Sequence, residues 1–153
     1  MRFMYRVRRR TPSNRLLPEF RLIRTIRSPY QVVQDQLTGQ YVLSSAAFKP
    51  TSDGLVSVDL EQLLDQDGLD PLAMYPALDR HVAAAAHTAG HVTSLGLTVC
   101  HDPTKKNWYH GGIGGKFTGK ISRDLASGSD FLIEIDQAEA DRLFDRSAPA
   151  VRP

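Results

Sequence analysis

The sequence predicts an α+β fold: one domain with a mixed or antiparallel sheet of about five strands and three or four helices. Three observations carry that expectation. Strand-like runs come early and late in the chain, with helix-start signals between them. The 153 residues are 41% apolar and 24% charged, the size and composition of one self-sufficient core. No internal repeat or linker divides the chain, so the expected organisation is a basic arm or edge strand over 1–19, an α+β domain over 20–147 and a frayed tail over 148–153.

Each element has its own signal. Phe3, Tyr5 and Val7 alternate with Met4 and Arg6, the period of a half-buried strand, and Thr11-Pro12-Ser13-Asn14 ends it. Phe20–Ile26 reads as a second strand, although Leu22, Ile23 and Ile26 also fit one helical face. Short strands are expected at Gln31–Val33, at Gln40–Leu43 after Gly39, and at Leu55–Val58 after the turn 51–54. Asp59 with Gln62 has the spacing of a capping box that opens a helix over Leu60–Leu64. Asp70-Pro71 and Tyr75-Pro76 are two further helix starts. The alanine-rich stretch Ala77–Thr88 is expected to be helical, stopped by Gly90. Val92–Cys100 reads as a strand, His101–Gly115 as a loop, Phe117–Leu125 as a helix and Phe131–Ile135 as a strand. A last helix over Asp136–Phe144 opens on the capping box Asp136/Glu139.

The net charge of +2 conceals an uneven distribution. Residues 1–27 hold nine arginines against one acid, Glu19, whereas the other 126 hold ten basic and sixteen acidic side chains. Seven acids fall between Asp53 and Asp79, with no base before Arg80. No window approaches the ~20 apolar residues of a membrane span, and arginines interrupt any signal-like start. Lone Cys100 excludes an internal disulfide framework or a multi-cysteine metal site. A cytoplasmic protein with no membrane partner and no cofactor is expected.

The densest chemistry lies in His101–Lys116. His101 and His110 form a candidate acid–base pair, with Lys105 and Lys106 as charge stabilisers for a metal-independent phosphodiester cleavage. Asn107, Gly111, Gly112, Gly114, Gly115 and Lys116 form a candidate phosphate cradle, because glycines let backbone amides approach an anion. Gly114–Lys120 follows the glycine and lysine spacing of a nucleotide-binding P-loop, but Ile121 stands where its Ser or Thr should be. His81, His87 and His91 fall six and four apart, of which only His87/His91 could share a helical face, so no metal is expected. Arg2, Arg6, Arg8, Arg9 and Arg10, interleaved with Phe3 and Tyr5, suit nucleic-acid contact. Pairing of this arm with the acidic stretch 53–79 is the competing use of the same charge.

Two resemblances accompany these residues. Arg24, Ser44-Ser45 and Glu134 resemble the scattered signature of NAD-using ADP-ribosyl-transfer folds, which implies a phosphate grip, a pocket-shaping strand and an acid at the ribose respectively. Ser44-Ser45-Ala46-Ala47-Phe48, Ser57-Val58-Asp59 and His101-Asp102-Pro103 with Asn107 and His110 resemble a small group of uncharacterised bacterial proteins over residues 20–125. That resemblance implies one site shared by Ser45, Phe48, His101, Asn107 and His110, with no activity attached. The function expected first is binding, with cleavage, of RNA, DNA or a nucleotide. The alternatives are a non-catalytic, antitoxin-like module with a protein partner, and NAD-linked transfer. Oligomeric state is not readable from this sequence.

Overall fold

The computed structural model describes residues 16–76 and 80–147, with side chains through Phe144. Its strands are β1 (Arg21–Arg27), β2 (Val32–Gln34), β3 (Tyr41–Leu43), β4 (Val56–Leu60), β5 (His81–Thr88), β6 (Thr98–His101), β7 (His110–Gly114) and β8 (Asp130–Ile133). Its helices are α1 (Glu61–Gln66), α2 (Ala89–Ser94), α3 (Gly119–Ser127) and α4 (Gln137–Ser147), with a 3-10 helix at Ser45–Phe48. Six strands form one antiparallel sheet in the order β6-β7-β4-β1-β5-β8, and β2 pairs with β3 in a separate ladder. The fold is α+β, as the distribution of strand and helix signals predicts. The chain divides into two compact units, residues 1–24, 50–74 and 86–117, and residues 25–49, 75–85 and 118–153.

In the first unit β4 shows why its sequence makes a strand. Val56, Val58 and Leu60 are buried, whereas Ser57 and Asp59 between them are half-exposed. Asp59 therefore belongs to the strand and does not cap α1, whose first flanking residue, Leu60, makes no side-chain cap bond. Gln62, the other half of the expected box, accepts from the Leu17 amide at 2.6 Å. Arg21 grips Glu61 with two side-chain nitrogens and its own backbone N–H, so one arginine of the basic start does pair with the acidic stretch.

In the second unit, Tyr41 packs its ring on Phe144 at 5.1 Å and donates its hydroxyl to Asp141 at 2.9 Å. The Gln137 amide accepts from the Tyr41 N–H and donates to the Tyr41 carbonyl, at 2.7 and 2.9 Å. One side chain thus completes the outer edge of β3 as a neighbouring strand would. The α3 helix, capped by Thr118, packs on the 3-10 helix, where Ser122 donates to the Phe48 carbonyl at 3.0 Å.

The alanine-rich stretch is the largest departure from expectation. His81–Thr88 is a strand in which Val82 through His87 are all buried. Lying between β1 and β8, it is covered on both faces, so it shows no alternation, and its place in the sheet overrides alanine's helical preference. Gly90 is not a helix stop but sits in α2, where a Cβ would lie 2.9 Å from Pro18. Val92 to Ser94 complete that helix, Gly96 turns with φ +85°, and only then does β6 begin. Asp70 organises a turn, accepting from Leu72 and Ala73, where a helix is expected.

Candidate functional site

The glycines at 111, 112 and 114 build a strand. β7 pairs with β4 on one side and β6 on the other, which consumes its backbone amides in the sheet. A Cβ at Gly111 would sit 2.6 Å from Leu60 and 2.8 Å from the Cys100 carbonyl, and one at Gly112 would sit 2.9 Å from Leu55. These glycines make room for leucines over the sheet. The expected phosphate cradle at Gly111, Gly112 and Gly114 is therefore corrected: space, and not amide display, requires glycine there. Gly115, with φ +117°, follows the strand, and Lys116 is exposed beside it.

The same register separates the two histidines. His101 pairs with Gly111, and Asp59 pairs with His110. Paired residues share a face and successive ones alternate, so His101 and His110 project from opposite faces. An acid–base pair across one phosphate needs both rings on one side, and the geometry does not bring them there.

Each histidine instead braces the β6–β7 loop from its own face. His101 Nε2 meets the Trp108 carbonyl at 2.7 Å, with the indole edge-on at 4.6 Å between ring centres. His110 Nδ1 meets the Asp102 carbonyl at 2.6 Å and lies 3.8 Å from an oxygen of the Asp102 carboxylate. A carbonyl only accepts, so these nitrogens carry protons and donate to the two carbonyls. Asn107 locks the loop interior. Its amide nitrogen donates to Asp59 at 2.8 Å, its amide oxygen accepts from the Tyr109 N–H at 2.9 Å, and its backbone N–H donates to Thr104. Tyr109 adds a hydroxyl bond to Asp67 at 2.5 Å. Asn107 is thus a loop brace whose amide is already engaged. Lys105 and Lys106 stand exposed at the loop's tip.

The surroundings of His110 are acidic. Burial pushes the Asp59 carboxyl above its ordinary range, against the opposing effects of the Asn107 bond and His110. Burial and the nearby Asp102 charge push the Cys100 thiol up, so Cys100 is a protonated thiol and a poor nucleophile. Among the described residues no group of three or more His, Cys, Asp or Glu side chains is arranged to hold a metal ion. His87 and His91, on β5 and α2, stack their rings at 5.3 Å.

The other sequence-predicted positions have local roles. Phe48 is 1% exposed, a core residue and not a pocket wall, while Ser45 opens the 3-10 helix that Ser44 caps. Arg24 donates to the Ser57 carbonyl at 2.9 Å, and Glu134 follows β8. Arg2, Arg6, Arg8, Arg9 and Arg10, and the strand expected at 3–7, lie outside the described residues.

Sequence reasoning missed a groove of about 490 Å³ beside β6, lined by Leu16, Pro18, Gly90, Thr93, Val99 and His101 among others. β6 has one strand neighbour among the described residues, β7. The Asp102 N–H donates to the His110 carbonyl at 3.0 Å, which fixes the phase of the ladder. Cys100 and Thr98 face β7 with their backbone groups, and Val99 and His101 turn theirs outward. The signal that could have found this edge is the four-residue run 98–101 isolated between Gly96 and Pro103. The chain matches no protein-family model, and no curated protein or solved structure matches it.

Proposed function

We propose that the chain is a non-catalytic interaction module that takes an extended segment of a protein partner by strand addition at β6. One observation carries the reading: outward backbone groups at Val99 and His101 border a groove. Strand addition uses those two features together, main-chain bonds for affinity and a recess for alternate side chains for selectivity. Among the described residues that line the groove none carries a carboxylate, ammonium or guanidinium, which favours an apolar side chain from the partner.

The test is selection from a displayed library of random extended peptides, followed by titration of the selected peptides against the whole protein. Peptides with an apolar residue should bind with a Kd on the order of micromolar. Thr93→Arg, at an exposed position that lines the groove, should abolish binding without moving the melting temperature. Selection of no binder, or equal binding by Thr93→Arg, overturns the reading.

A second reading, contact with a phosphate-bearing polymer, has its own support in the braced loop that presents Lys105 and Lys106. It predicts RNA or DNA binding that weakens with salt, and a salt slope reduced by about 1 for each lysine replaced with alanine. Binding unaffected by Lys105→Ala and Lys106→Ala would remove it.

A further inference from the structure

We infer that the β6 edge is regulated by this chain's own arm: residues 3–7 pair along β6 in cis, and a partner segment binds by displacing them. The inference rests on the strand-addition reading of that edge and names the segment that competes there. Val99 and His101, whose backbone groups turn outward, are half-buried, and Thr98 and Cys100 beside them are exposed. The place where the chain arrives decides the occupant. Leu16 and Pro18 form part of the groove wall. They are clamped there, because the Leu17 N–H donates to Gln62 at 2.6 Å and the Pro18 carbonyl accepts from the Gly90 N–H at 3.0 Å. Residues 1–15 lie outside the described residues, and they join the chain at that wall.

The arm's sequence suits the edge. Phe3, Tyr5 and Val7 alternate with Met4 and Arg6, and residues 2–10 contain no proline, so each of them can donate to a ladder. Three apolar side chains at period two match a recess whose described lining carries no charge. The opposite face fits by charge. With Phe3, Tyr5 and Val7 on the face of Val99 and His101, Arg6 and Arg8 fall on the face of Cys100. Asp102 projects from that face too, and its charge and that of Asp53 both act on Cys100. Reach is sufficient. Residues 8–15 join Val7 to Leu16 and include the turn-forming run Thr11-Pro12-Ser13-Asn14, which lets the chain reverse. Extended, they span about 26 Å, against about 13 Å for a four-residue strand. A tether that short sets an effective concentration on the order of millimolar, so the arm outcompetes a micromolar segment of similar intrinsic affinity.

Hydrogen exchange of the whole protein, followed amide by amide with no peptide added, tests the inference. The comparison is with a double variant, Met4→Pro and Tyr5→Pro, in which one of two adjacent prolines must face β6 whatever the register. The Val99 and His101 amides should exchange about tenfold faster or more in the variant. The Thr98 and Cys100 amides, which face β7, should keep their rates, which separates release of the arm from loss of the strand. Peptides selected from the displayed library should bind the variant about tenfold more tightly than the wild type. Equal exchange of Val99 and His101 in the two proteins overturns the inference even where peptides bind. Equal peptide affinity overturns it as well, and protection that grows with protein concentration assigns the edge to the arm of a second copy and overturns pairing in cis. Protection that the prolines release supports pairing of the arm even where no peptide is selected, an outcome that removes only the partner reading.

Discussion

The β6–β7 pair and the β2–β3 pair both end in a strand edge, and the two edges are completed in different ways. In the first, β7 lies between two strands and is built largely of glycine, so leucines pack against its backbone. Its edge partner β6 borders a recess. In the second, the outer edge of β3 is closed by Gln137, while Val33 and Val42 pair side by side with exposed side chains and Val32 is buried. A recess beside free backbone groups suits a foreign segment that brings its own side chain. The two edges therefore differ in what completes them: a side chain of the same unit at β3, and at β6 a recess with outward backbone groups beside it.

The largest effect should come from removing what anchors the second pair. Tyr41→Ala loses the Phe144 contact and the Asp141 bond, at a cost of about 3 kcal/mol, whereas Tyr41→Phe loses the hydroxyl bond alone, about 1 kcal/mol. Urea unfolding of both variants measures the split. Equal losses would mean that the hydroxyl, and not the ring, holds the ladder.

Glycine substitutions sharpen the contrast further. Gly111→Ala should cost about 2 kcal/mol, because one of the atoms in its way is the backbone oxygen of Cys100. Gly39, in the β2–β3 turn, has open space around it but a φ of +75°, so Gly39→Ala should cost about 1 kcal/mol. Asparagine tells the two apart. It tolerates the left-handed turn at residue 39 and adds still more bulk at residue 111. If Gly39→Asn proves as damaging as Gly111→Asn, the assignment of space to one glycine and φ to the other is wrong.

The same two pairs show what was legible in the sequence. The β2–β3 ladder was readable because Gly39 marks its turn and β-branched residues flank it. β7 was not, since a glycine-rich run looks like a loop until the leucines that cover it are known. Alanine in β5 misled for the matching reason: burial on both faces removes the alternation that identifies a strand. Asp59 was assigned to a cap by spacing alone, although Val56-Ser57-Val58-Asp59-Leu60 alternates well enough to place it on β4. The sequence suggests His101 and His110 as an acid–base pair, whereas each braces the 101–110 segment from its own face. Their opposite faces depend on pairing register, which a single sequence does not carry.

The smallest effects concern pH, and they pit two carboxyls of the first unit against each other. Arg21 holds the Glu61 carboxyl below its ordinary value of 4.5, so the stability it contributes is present above that value and lost as pH falls. Burial holds Asp59 above its ordinary value of 3.8, so its contribution is greatest below that value and lost as pH rises through the raised one. The two partly cancel in the wild-type chain over the mildly acidic range. Glu61→Gln should remove the gain on raising pH, at a cost of about 0.5 kcal/mol near neutrality, since the ion pair is partly exposed. Asp59→Asn should remove the opposing loss and steepen the rise, while an amide oxygen at residue 59 still accepts from Asn107. Urea unfolding of both variants between about pH 3 and pH 8 reads the slopes directly. Parallel slopes for Asp59→Asn and the wild type would mean that Asp59 is solvated, and that the loop it braces through Asn107 is held from the histidines alone.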